Sequence, residues 1–135
     1  MSVWWERVRS LLSMSAHEHA SLPDLRGLES SRARVEGTQY RAHDHERMSV
    51  GDRMYVLRRE PRNKRDELAI AVYARGRAVG YVSSSRAAGI APLLDRLGGA
   101  AVVNGVGADT ESSRLWVELP TPDSLGEFVQ EYEPA

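Results

Sequence analysis

Between residues 59 and 70 the chain reads "REPRNKRDELAI", seven charged side chains and one proline that give way abruptly to apolar sequence at Leu68. The run belongs to a wider imbalance. Residues 53–65 hold six basic side chains against Glu60 alone, a net charge of +5, whereas residues 109–135 hold seven acidic side chains against Arg114, a net charge of −6. Cations gathered on a loop form an electrostatic footprint for a polyanion, and the acidic end of the chain limits indiscriminate binding. A solvated surface accounts for such a run as well, since exposed charge is ordinary and 17 of the 18 basic residues here are arginine.

Other groupings offer different chemistry. All four histidines fall in two triplets, "HEH" at 17–19 and "HDH" at 43–45, and imidazole beside carboxylate suits zinc or manganese. Both triplets fall in expected loops with nothing to orient four ligands, so solvated histidines are expected and no metal or cofactor is assigned. "SSS" at 83–85 offers hydroxyls without a G-x-S-x-G elbow or a neighbouring histidine, which argues against a serine hydrolase. With no ATPase or nuclease motif, the chain is expected not to be an enzyme. A metal-dependent hydrolase built on the triplets is the remote catalytic alternative.

Composition bounds what can position these residues. A chain of 135 residues suits one domain with a real core and terminal extensions. The absence of cysteine removes a disulfide framework, a thiolate zinc site and a thiol nucleophile, and fits a reducing compartment. No apolar stretch reaches bilayer-spanning length, so no membrane partner is expected. Glu6, Arg7 and Arg9 interrupt the N-terminal "MSVWWERVRSLLSM", which therefore reads as mature sequence and not as a signal peptide. The expected location is the cytoplasm.

Periodicity then places the elements. Trp4, Val8, Leu11 and Leu12 share a helical stripe within residues 3–14, an amphipathic helix followed by a Ser-, Pro- and Gly-containing linker. Strands are expected over 32–40, 53–60, 68–74, 77–84, 100–106 and 114–120, with turn chemistry at Gly51-Asp52 and a tight hairpin at Arg75-Gly76. Ala87, Ile90, Leu94 and Leu97 keep helical spacing, Pro92 is expected to kink or restart that helix, and Gly98-Gly99 ends it. Thr121 and Asp123 are capping options for a short terminal helix. Strands joined by two-residue hairpins are antiparallel, so the expected fold is mostly β: a small OB-like or SH3-like β-barrel with short inserted or flanking helices. Its expected divisions are an N-terminal helix and linker over 1–31, the barrel over 32–120, and an acidic helical tail over 121–135.

The ordered set "VEGTQY" at 35–40, "GDRMYVLRREP" at 51–61, "NKRDELAIAV" at 63–72, "VGYVSSSRA" at 79–87 and "IAPLLD" at 90–95 resembles the HIRAN domain family. The resemblance covers residues 34 to about 119, and its order and spacing are more specific than any single motif. HIRAN domains occur at the N-terminus of eukaryotic fork-remodelling ATPases and as small free-standing bacterial proteins. This chain carries no Gly-rich phosphate loop and looks like the free-standing kind. The resemblance implies an OB-like barrel that captures single-stranded DNA at a 3′-hydroxyl end, in DNA repair or processing. By the same resemblance, the aromatic that stacks a terminal base falls on Tyr40, beside Gln39, where fork-remodelling members carry arginine. The polar loop residues that hold the terminal sugar and phosphate fall on Asn63 and Asp66, and the residue after "VG" falls on Tyr81. Arg65 occupies the place of a second stacking aromatic, and Leu68 replaces an asparagine.

The same residues have work to do on physical grounds. Every base offers a π-face, so Tyr40 and Tyr81 beside a basic groove could bind single strands with little sequence preference. Arg59, Lys64 and Arg65 supply cations for the backbone, and a guanidinium such as that of Arg65 also stacks on a base. A carboxylate at Asp66 repels phosphate but accepts a hydrogen bond from a terminal hydroxyl. Packing at a barrel edge would equally explain the two tyrosines, and a salt bridge or turn cap would explain Asp66. A reading of a different class makes the chain a protein-interaction or regulatory domain, with Trp4 and Trp5 on the N-terminal helix facing a partner.

Overall fold

The computed structural model describes residues 22–37, 54–74, 76–108 and 115–132. The expected N-terminal helix with Trp4 and Trp5, both histidine triplets, Gln39, Tyr40 and the Gly51-Asp52 turn lie outside the described residues. Six strands form among the described residues: β1 (Ser30–Val35), β2 (Met54–Arg59), β3 (Ile70–Ala74), β4 (Arg77–Tyr81), β5 (Ala100–Ala108) and β6 (Leu115–Pro120). They make one antiparallel sheet in the order β1-β6-β5-β2-β3-β4. The sheet curls until its two edges meet. There the Glu36 amide donates to the Tyr81 carbonyl at 2.8 Å and the Tyr81 amide donates to the Glu36 carbonyl at 2.9 Å, a seam that turns the sheet into a curled half-barrel. Gly80 makes the approach possible, since a Cβ at that position would stand 2.4 Å from the Glu36 carbonyl oxygen and 2.6 Å from Val35 Cγ1.

Period-two alternation sorts the strand residues between two clusters. Tyr55 and Leu57 of β2 and Ile70 and Val72 of β3 face the main core with Leu115, Val117 and Leu119. Val56, Ala71 and Tyr73 form a smaller cluster on the other face. Both faces of β2 and β3 are therefore buried, which is why "LAIAVYA" is a continuous apolar run instead of an alternating one. Desolvation pushes the Tyr55 phenol up to about 12, so it stays neutral in the core.

Helix α1 (Ser84–Arg96) sets Ala87, Ile90, Ala91 and Leu94 against this core. The Ser83 hydroxyl caps it by accepting from the Arg86 amide at 3.4 Å. Pro92 does not restart the helix: it lies within one continuous element on the exposed side, where a single missing donor is tolerated. Gly98 and Gly99, at φ 102° and 90°, end it, and the Gly99 amide donates to the Leu94 carbonyl at 2.9 Å. Thr121 caps α2 (Pro122–Tyr132), its hydroxyl oxygen accepting from the Ser124 amide at 3.1 Å, and Leu125 and Val129 complete the core.

The stretch expected as a linker behaves differently in its described part. The Leu25 amide donates to the Val102 carbonyl at 2.9 Å, and the Val102 amide donates to the Pro23 carbonyl at 2.9 Å. Leu25 itself is buried in the main core. Leu25→Ala is expected to cost about 2–5 kcal/mol by loss of transfer free energy and the cavity left behind. Urea denaturation of parent and variant measures the difference; equal midpoints would make the segment a passive strap.

Candidate nucleic-acid interface

The loop from Glu60 to Ala69 joins β2 to β3, and its own side chains hold its shape. Asn63 Oδ1 accepts from the amides of Arg65 at 2.9 Å and Asp66 at 3.1 Å, and Asp66 Oδ1 accepts from the Leu68 amide at 2.9 Å. Short polar side chains used this way imitate backbone turns and fix the residues they bracket. Across the loop, the Glu60 amide donates to the Ala69 carbonyl and the Ala69 amide to the Asp66 carbonyl, both at 3.0 Å. Lys64 and Arg65 are left exposed at the tip, with Asn63 and Asp66 half-buried behind them.

These four residues, together with Ala69, Tyr81, Val82 and Ser84, line a concave pocket of about 520 Å³. Tyr81 arrives as the last residue of β4, its backbone held by the seam. Ser84 is the first residue of α1, so the positive end of a helix dipole stands at the pocket wall. The structure thus brings Asn63, Lys64, Arg65, Asp66 and Tyr81 to one place. Asp66 acts as the anticipated turn cap through Oδ1, and its Oδ2 has no partner among the described residues.

Arg59 is placed differently from expectation. It is only 4% exposed. Its Nε donates to Asp95 Oδ1 at 2.8 Å, Nη1 to the Ala69 carbonyl at 2.8 Å, and Nη2 to the Glu67 carbonyl at 3.1 Å. Its charge and donors are committed inside, where they tie the loop to α1.

Glu60 was not anticipated. Its Oε1 accepts from the Tyr81 hydroxyl at 2.8 Å and from Asn63 Nδ2 at 3.0 Å, while Oε2 accepts from Arg58 Nη2 at 3.1 Å. The Arg58 guanidinium stands over the Tyr73 ring, 4.6 Å from its centroid, and donates to the Tyr73 hydroxyl. The available signal was Glu60's isolation as the one acid among the cations of residues 53–65. Among the described residues no group of three His, Cys, Asp or Glu could hold a metal, and no helix is long and apolar enough to cross a membrane.

A curled antiparallel half-barrel with a basic, aromatic-lined pocket beside its seam defines a small binding module. The HIRAN domain profile matches residues 28–121, and the chain belongs to the HIRAN domain family. The structure is similar to the crystal structure of the HIRAN domain of human HLTF, with a TM-score of 0.54 and 23% identity over 76% of this chain and 84% of that one. It is also similar to the NMR structure of the HLTF HIRAN domain in its DNA-bound conformation, with a TM-score of 0.50 and 20% identity over 87% and 93% of the two chains. No curated protein matches the chain. At these identities the likeness to the two structures concerns the fold.

Proposed function

We propose that this HIRAN domain binds single-stranded DNA and takes a 3′-hydroxyl end into the pocket between the β2–β3 loop and β4. The observation that carries the reading is the pocket's composition: exposed Lys64 and Arg65, the half-buried Tyr81, and an Asp66 carboxylate with one oxygen to spare. The DNA-bound conformation of the HLTF HIRAN domain supports it from within the family. Lys64 and Arg65 attract the backbone phosphates, and binding accordingly weakens with salt as counterions are released. Tyr81 offers a stacking face worth about 1–3 kcal/mol per base, and the family resemblance adds Tyr40 as a second stacking ring, with Gln39 beside it in the binding set. Asp66 Oδ2 accepts from the terminal hydroxyl and repels a terminal phosphate. Asn63 holds the turn that presents it, and Arg59 supports the loop from beneath.

Fluorescence anisotropy with a short labelled strand bearing a 3′-hydroxyl, beside its 3′-phosphate and a blunt duplex, tests the reading. The hydroxyl strand is expected to bind tightest. Asp66→Asn is a clean probe, because the asparagine carbonyl still caps the Leu68 amide while the charge disappears. The variant is expected to lose about 1–2 kcal/mol of its preference for the hydroxyl end, the scale of a hydrogen bond to a charged group. Uniform tightening on every strand would mean that the loop attracts phosphate without reading ends. Binding indifferent to salt would instead favour an apolar protein partner.

A further inference from the structure

Glu60 does not line the pocket, yet two of the pocket's side chains end on one of its oxygens. We infer that Glu60 is the positioning residue of the interface, setting the Tyr81 ring and the Asn63 amide in register without touching the bound strand. The inference rests on the pocket's being the strand-binding site. One side of the Tyr81 ring packs against the Val56, Ala71 and Tyr73 cluster, and the hydrogen bond at its hydroxyl fixes the far end of the ring and so the plane that a base would stack on. For Asn63 the same carboxylate decides which way the amide faces. With Nδ2 donated to Glu60, Oδ1 must face the Arg65 and Asp66 amides, and that contact shapes the tip of the loop.

The arrangement needs an anion, because three donors converge on one carboxylate. It also needs that anion to be held. Arg58 of β2 does so from two residues back, itself anchored on Tyr73 of β3. The side chains of Arg58 and Glu60 are 8% and 18% exposed, so little water screens the pair. Since Arg58 balances Glu60, Asp66 remains the anion that an incoming strand end meets.

Two measurements separate positioning from mere stabilisation. In the free protein, NMR of the Asn63 side-chain amide and the Tyr81 ring reads the geometry directly. Glu60→Gln is expected to shift both signals, because its amide group turns a donor toward either Arg58 or the Tyr81–Asn63 pair. In anisotropy, Glu60→Gln and Tyr81→Phe are each expected to weaken single-strand binding about tenfold, one hydrogen bond's worth. The double variant is then no weaker than the weaker single one. A residue that only stabilises the fold would lower the denaturation midpoint but leave the NMR signals unmoved and the two fold-changes multiplying, and either of those results overturns the inference. If Glu60→Gln does not fold, Glu60→Asp reads the same signals, since it keeps the charge for Arg58 and withdraws the carboxylate from Tyr81. A parent protein that binds no strand overturns the DNA reading alone; shifted Asn63 and Tyr81 signals then uphold the positioning role and unshifted ones overturn it.

Discussion

Gly80→Ala is expected to cost about 3 kcal/mol or more, well above what one added methyl group costs at an ordinary site. The new Cβ would meet the Glu36 carbonyl oxygen at 2.4 Å, and a backbone atom cannot rotate away as a side chain can. Relief requires β4 to move off β1, which breaks both seam hydrogen bonds and carries Tyr81 with it. Stability and strand binding should therefore fall together. Gly126→Ala is the control: a Cβ there meets nothing within 4 Å, and an alanine inside α2 should gain up to about 1 kcal/mol. A Gly80 variant as stable as its parent would mean that the seam contributes nothing to the fold.

The second large effect is expected at Arg59. Arg59→Ala removes a buried guanidinium, leaving the Glu67 carbonyl without its donor, the Ala69 carbonyl with the Glu60 amide alone and the half-exposed Asp95 to water, at about 3 kcal/mol, the upper end for lost bonds to a charged group. Arg65→Ala, at the exposed tip, should change stability by less than about 0.5 kcal/mol. If Arg65 contacts phosphate, its loss also lowers the salt slope of binding by about one. The two arginines stand six residues apart, and each variant should show what the other lacks. An Arg59 variant of full stability but reduced salt slope would return Arg59 to the phosphate-binding set.

The contrast between them shows where sequence reasoning reaches and where it stops. Hairpin turns, alternation and helical spacing are local signals, and all six expected strands and the helix after "SSS" appear within a few residues of where those signals put them. The site was legible to the extent that it sits on one loop. Asn63, Lys64, Arg65 and Asp66 are neighbours in sequence and remain so in space. Arg58 and Arg59 look alike in a row of cations, but a strand points them to opposite faces, one toward Tyr73 and the other toward Asp95. The partners are 15 and 36 residues away, so no window around the pair reveals them. Glu60 was hidden for the same reason, its bond to Tyr81 spanning 21 residues. Pro92 failed as a breaker because only its exposure, a tertiary property, makes the lost donor harmless.

The strand order has a consequence for how the chain reaches this shape. β1 pairs with β6, placing Ser30 opposite Pro120, so the ladder of the first described strand is completed by the last described one. The hairpins from β2 to β4 close over short loops, whereas β1 must wait for the whole intervening chain and bear the entropy of that closure. Contacts so distant in sequence slow folding. During synthesis β1 emerges first and finds its main partner last, so the half-barrel closes only after nearly the whole domain has left the ribosome.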